Sequence, residues 1–266
     1  MNQTKEYYYI RFMKLIKIPL LLIWRLWFYI LICVTILLMS PFLIVLTSKE
    51  RYYPVFWKLI RGWSHLLVYG MGFRIDKQID QVIDRGKSYV FCPNHASLMD
   101  PFVLIVLSKN PIVFVGKKEL VKIPIFGFFY KRVVIMVDRS NPVSRKNVYE
   151  TAKKRLQSGT SIGVFPEGLV PKYDVILSPF KNGAFSLAIE HQIPIVPQTY
   201  YDCKRLFSWN FFKGGVGTFR VRQHHFIETK GLKPKDIPIL KEKTFQVLYN
   251  ELSSDALYMK DTTSHK

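Results

Sequence analysis

The residues best suited to chemistry are His95 and Asp100, in the run Asn94-His95-Ala96-Ser97-Leu98-Met99-Asp100-Pro101. A histidine titrates near neutrality and can take a proton from an alcohol. An aspartate that accepts a hydrogen bond from the other ring nitrogen fixes the tautomer and stabilises the imidazolium. On one continuous helix the two side chains would point roughly 140° apart, at about 3.6 residues per turn. They meet only if His95 sits in a turn and Asp100 near the start of the helix that follows. The apolar run ending at Cys92 supplies that strand–turn–helix context. The competing reading makes Asp100 a helix cap and His95 a polar turn residue. For an isolated pair so short and common in pattern, the cap reading wins.

The pair is not isolated. Downstream stand Lys117-Lys118-Glu119-Leu120, Pro124 and Phe126-Gly127, then Val137-Asp138-Arg139, Phe165-Pro166-Glu167-Gly168 and Ile193-Pro194-Ile195-Val196-Pro197. Together with the histidine run these make four ordered blocks, each at the end of an apolar strand. They resemble the blocks of the glycerolipid acyltransferase family, which includes 1-acylglycerol-3-phosphate and other lysophospholipid acyltransferases. The resemblance spans about residues 85–200.

The resemblance implies roles position by position. His95 is the expected general base, deprotonating the acceptor hydroxyl as it attacks an acyl thioester, and Asp100 orients and charge-stabilises it. No covalent acyl-enzyme is expected. Arg139 matches the phosphate-binding arginine, and a guanidinium suits bidentate contact with phosphate. Lys117 adds positive charge near the same phosphate. The blander alternatives are a surface ion pair for Arg139 and a solvated side chain for Lys117. Glu167 belongs to the acceptor-binding side, and Gly168 allows close backbone approach. The Ile193–Pro197 block is structural, lining the acyl-chain side. The donor is acyl carrier protein or coenzyme A thioester, acting as substrate. No bound cofactor or metal is expected.

The chain departs from the family pattern in two places. The third block commonly continues with Thr-Arg-Ser after its glycine, and here it reads Leu169-Val170-Pro171. Lys172 or Lys181 can replace the missing charge. In the second block, a glycine often found before the strand is Val133, beside Arg132. Both changes bear on the acceptor head group rather than on the reaction type. A lyso-aminolipid acceptor therefore stands beside 1-acylglycerol-3-phosphate. A membrane hydrolase with a His–Asp pair and a serine is a further alternative, although no G-x-S-x-G elbow is present. A non-catalytic membrane protein is another.

Composition sets the surroundings. The 266 residues carry a formal net charge of +20, from 39 Lys and Arg against 19 Asp and Glu. Such an excess suits a polyanion. Its placement favours an anionic bilayer over nucleic acid, because the cations flank apolar segments: Lys14, Lys17 and Arg25 before one, and Lys49, Arg51, Lys58 and Arg61 after it. That segment, Leu26–Ser48, is uncharged and long enough to cross a bilayer, which takes roughly 20 helical residues. It reads as a span, as a re-entrant or interfacial hairpin bent near Arg25 or Pro41, or, least well, as a signal peptide. The basic, aromatic stretch Lys204–Arg222 reads as a loop and strand resting on lipid head groups, with Trp209, Phe211 and Phe212 dipping into the interface. Cys33, Cys92 and Cys203 form no C-x-x-C pair and suit a reducing compartment. Cys92, close to His95, draws the most interest of the three. The catalytic domain is placed on the cytoplasmic face of the membrane.

From about residue 85, apolar runs alternate with amphipathic stretches. Strands are expected at 88–92, 112–115, 133–137, 161–165 and 193–197, with a further one at 216–222, at a sheet edge. Helices are expected at 143–157, 182–191 and 236–252. The fold class that follows is α/β: a mixed, largely parallel sheet flanked by helices, with an N-terminal membrane-anchoring helical segment. Residues 1–70 form the membrane-associated region and 71–266 the acyltransferase domain.

Overall fold

A computed structural model describes residues 3–123, 126–137 and 142–263, with side chains from residue 15 onward except at 117, 137 and 142–149. The N-terminus is one long helix, α1 (Gln3–Leu46), followed by α2 (Tyr53–Gly70). The domain proper runs β1 (Phe73–Ile79), β2 (Val90–Pro93), α3 (Asp100–Leu107), β3 (Ile112–Lys117), α4 (Phe126–Val133), β4 (Ile135–Val137), α5 (Pro142–Gln157) and β5 (Ser161–Gly163). It continues with α6 (Gly183–Glu190), β6 (Ile195–Tyr200), α7 (Cys203–Leu206), β7 (Gly217–Gln223), α8 (Ile237–Ser254) and α9 (Ala256–Thr263).

Among the described residues the strands form one seven-stranded sheet, in the order β1-β7-β6-β2-β5-β3-β4. Every pairing is parallel except β6 with β7. The middle strands are apolar on both faces, as a sheet covered on both sides requires. Val90, Cys92 and Ile195 face a core with α6 and α8. Phe91 and Val196 face the opposite core, with α2 and α3. Ala152 of α5 packs with Val113, Ile135 and Ile162. Because β2, β5, β3 and β4 are parallel neighbours, their carboxyl ends lie along one edge of the sheet. The His95 turn follows β2, Lys117 ends β3 and residues 165–168 follow β5, the usual place for a site in an α/β sheet. The 193–197 block is not at a strand's end as expected but opens β6.

Three expectations are corrected. The strand at Gly217–Gln223 is not at an edge, because it lies between β6 and the unexpected strand β1. β1 carries charges along an exposed face, which hides a strand in the sequence. The fourth strand starts at Ile135 rather than Val133, because α4 runs through Val133. Helix α1 also continues through both Arg25 and Pro41, so the chain reverses instead at residues 47–52. The returning helix α2 buries Tyr53, Phe56, Trp57, Leu67 and Val68, so Lys58 and Arg61 are the polar positions of an amphipathic helix. α1 packs along α2, with Leu43 against Tyr53 and Phe56, and Trp63 donating to the Thr35 hydroxyl.

Gly127 is the second residue of α4, and its amide donates to the Ile123 carbonyl at 2.7 Å. A side chain there would run into the Val121 main-chain carbonyl, which cannot swing aside. Gly127→Ala should lower stability by about 1–3 kcal/mol, the usual penalty of overpacking. Thermal unfolding in detergent checks this; an unchanged midpoint would contradict the packing described.

Candidate active site

Four turn residues, Ala96 to Met99, separate His95 from Asp100. β2 ends at Pro93, and Pro101, locked at the helical φ, helps start α3 at Asp100. His95 thus lies in the turn and Asp100 in the first helical residue. The His95 Nδ1 lies 2.8 Å from Asp100 Oδ2. The same oxygen accepts the main-chain N–H groups of Ala96 at 2.6 Å and Ser97 at 2.7 Å. The carboxylate therefore reaches back onto the turn instead of capping its own helix, and the positive end of α3 favours its charge. With Nδ1–H donating to Asp100, Nε2 keeps its lone pair. The Asp100 side chain is fully buried while that of His95 is 21% exposed. The imidazole stacks on Phe165, centroids 4.3 Å apart.

Neighbouring elements fix this turn. The Asn94 side chain donates to the Tyr200 carbonyl at 3.1 Å and accepts the Tyr200 N–H at 2.7 Å, fastening the turn to β6. Ser97 Oγ donates to the Phe207 carbonyl at 2.8 Å, just past α7. From β5, Glu167 accepts the His95 N–H at 2.7 Å through one oxygen and the Ser178 N–H at 2.8 Å through the other. Gly168, at φ +71°, closes the turn with its N–H on the Phe165 carbonyl. Such a φ favours glycine.

Glu167 is almost completely buried. Burial pushes its carboxyl up to about 7, against the two N–H donors and His95, which pull it down. The folded state then holds a proton that the unfolded chain releases near 4.5, so stability falls as pH rises from about 4.5 to about 7. Glu167→Gln should remove that dependence. It should also set an NH₂ against one of the two N–H donors, at a cost of about 1–3 kcal/mol. Unfolding midpoints across this pH range test both; parallel curves for the two proteins would contradict the assignment.

The remaining expected residues fall as follows. Lys117 is the last residue of β3, its backbone in register with Val137 of β4. Arg139 lies outside the described residues. Lys172 and Lys181 are exposed. Cys92 faces the α6–α8 core rather than His95, and burial pushes its thiol up. The cysteine at the site is Cys203, buried beside Asp100, its thiol also raised by burial and by that carboxylate. Lys204 was not expected either. Its buried ammonium donates to the Val175 carbonyl at 2.7 Å, in the segment after Gly168, and lies over the Tyr173 and Tyr258 rings. Burial lowers it to about 8, with Glu167 pulling the other way. No local sequence signal marks Lys204, because its partners belong to a different block. Among the described residues no group of three or more His, Cys, Asp or Glu is arranged to hold a metal. A groove of about 410 Å³ near Arg220 and Arg222 is a separate feature, its arginines paired with Asp202, Asp255, Asp80 and Glu251.

Residues 74–201, which include His95, Asp100, Glu167 and Gly168, match the family model described as Acyltransferase. Among similar proteins is the 1-acyl-sn-glycerol-3-phosphate acyltransferase alpha of Ovis aries, 28% identical over 203 residues, covering 74% of this chain and 70% of the relative. The beta protein of Homo sapiens is 27% identical over 186 residues, covering 68% and 66%. The Cocos nucifera 1-acyl-sn-glycerol-3-phosphate acyltransferase is 36% identical over 110 residues, covering 41% and 35%. The crystal structure of the 1-acyl-sn-glycerophosphate acyltransferase PlsC from Thermotoga maritima has the same fold, with a TM-score of 0.72 at 19% identity, covering 91% of this chain and 98% of that one. The α/β fold with a mixed, largely parallel sheet is therefore as the sequence led one to expect.

Proposed function

We propose that this chain is an acyltransferase, moving a fatty acyl group from a thioester, on acyl carrier protein or coenzyme A, to the free hydroxyl of 1-acylglycerol-3-phosphate, giving phosphatidate. The observation that carries this reading is the half-open imidazole of His95, held by buried Asp100 at 2.8 Å with Nε2 unspent. Nε2 takes the hydroxyl proton as the oxygen attacks the thioester carbonyl. The tetrahedral intermediate collapses, the C–S bond breaks, and the thiolate leaves with the proton returned by the imidazolium. Asp100 stabilises the imidazolium between these steps. Lys117, the last residue of β3, and Arg139, by its place in the sequence, are assigned to the acceptor phosphate, and Glu167 with Gly168 to the turn on the acceptor side.

The membrane holds the acceptor, and α1 provides the means to reach it. Leu15–Leu46 is long and apolar enough to cross a bilayer and is mostly unburied by the rest of the chain. Residues 1–70 are assigned to membrane association and 71–266 to catalysis, with the catalytic domain on the cytoplasmic side, where the thioester donors are. Half-buried Val170, where the family pattern has an arginine after its glycine, supports a second acceptor, a lyso-aminolipid. A panel of lysolipids with labelled acyl thioester separates the two. Diacyl product from 1-acylglycerol-3-phosphate is expected; product from a lyso-aminolipid alone would replace the acceptor and keep the chemistry. Rapid release of free acid without any acceptor would make the protein a hydrolase.

A further inference from the structure

Arg25 is the one charge between the two apolar runs of α1, and it does not flank a membrane segment as its position suggests. Its side chain is 2% exposed. One terminal nitrogen lies 2.6, 3.0 and 2.6 Å from the carbonyl oxygens of Ser208, Asn210 and Lys213. Its guanidinium also lies over the rings of Phe207 and Phe211, at 4.9 and 5.1 Å. A guanidinium in an apolar helix is costly unless its donors are satisfied. Here a loop more than 180 residues away supplies three carbonyls to one terminal nitrogen, while the buried Nε has no hydrogen-bond partner among the described residues. Gly214 makes the approach possible: its φ is +130°, and a Cβ would stand 2.5 Å from the Leu206 carbonyl oxygen.

The outer side of the same loop is apolar and uncovered. Trp209 is 53% exposed, Phe211 46%, Phe212 62% and Val216 63%. This surface continues onto α1, where Ile23, Leu26, Trp27 and Ile30 are exposed and Tyr29 stacks on Phe211 at 6.3 Å. Trp and aromatic side chains gather at bilayer interfaces because a ring body and a polar edge suit that boundary. On its inner side the loop reaches the candidate active site: the Lys213 ammonium lies 4.8 Å from the Tyr173 ring, in the segment after Gly168.

We propose that residues 207–216 are a second membrane-seating element, pinned to the anchor helix by Arg25, with Trp209, Phe211 and Phe212 entering the head-group region of a phospholipid bilayer. The clamp fixes the depth of the active-site segment 168–178 relative to the lipid that carries the acceptor. This rests on reading α1 as a membrane anchor, and the test keeps the two apart.

The full chain is reconstituted into vesicles of phosphatidylcholine and phosphatidylglycerol, with the phosphatidylcholine brominated on its acyl chains. Vesicle sedimentation reports the anchor. The Trp209 signal is the emission of the native protein minus that of Trp209→Phe. Brominated lipid should remove most of this difference signal, and aqueous iodide should leave it. Arg25→Met should reverse the two sensitivities while the protein still sediments with vesicles. A Trp209 signal quenched by iodide in the native protein overturns the seating element, and one shielded from both quenchers assigns the loop to a protein contact instead, which also overturns it. An Arg25→Met protein that folds and leaves the Trp209 depth unchanged overturns the clamp. Failure of the native chain to sediment with vesicles overturns the anchor reading itself.

Discussion

His95→Ala is expected to lower the turnover of acyl transfer by roughly 10²–10⁴-fold, the usual contribution of a positioned general base. The fold should survive the change. The main-chain N–H of residue 95 still donates to Glu167, and Asp100 still accepts from Ala96 and Ser97. What is lost is a partly exposed ring whose main contact is Phe165. Turnover at saturating donor and acceptor, beside an unfolding midpoint and vesicle sedimentation, separates chemistry from folding. A variant that unfolds normally and keeps more than about a tenth of the native rate would contradict a base of this strength.

Asp100 should respond in two different ways to two substitutions. Asp100→Asn keeps a carbonyl oxygen for the Ala96 and Ser97 N–H groups, so stability changes little. It removes the charge that stabilises the imidazolium, while the carbonyl oxygen that keeps the two N–H groups still faces His95 Nδ1. In the serine-protease triad the same exchange costs about 10⁴ in turnover, and a loss of roughly 10²–10⁴ is expected here. Asp100→Ala should lose activity to the same degree and also stability, because two buried N–H groups lose their acceptor, at about 1–3 kcal/mol each. Turnover and unfolding measured on both variants check this. Equal stability of the two would mean that the carboxylate does not hold the turn, and near-native turnover of Asp100→Asn would remove its charge from the mechanism.

The pair was legible in the sequence because its geometry is local. An apolar strand, a short turn and Pro101 fix where the helix can begin, and only that arrangement brings positions 95 and 100 together. β2, β3, β5 and β6 were legible because a strand buried on both faces must be apolar throughout. β1 and α2 were not, since each mixes charges with its apolar positions and reads as a flank. The bend in the membrane segment was misplaced for a related reason. Arg25 looks like a break when only its neighbours are seen, but its partners are carbonyls of residues 208, 210 and 213. Glu167 was read from its motif as an acceptor-side group; its hydrogen bond to the His95 main chain, 72 residues away, comes only from the sheet bringing β2 beside β5. Lys204 likewise reaches Val175 across the fold, and no spacing rule encodes such a contact.

The central claim is direct, histidine-dependent transfer from thioester to acceptor. Native protein and His95→Ala, in the same membranes, are given labelled acyl thioester with and without 1-acylglycerol-3-phosphate, and label is followed in phosphatidate, free acid and protein. Label should appear in phosphatidate, only with acceptor present and only with the native protein. Label bound to the protein before acceptor is added, or phosphatidate formed equally well by His95→Ala, would contradict the account.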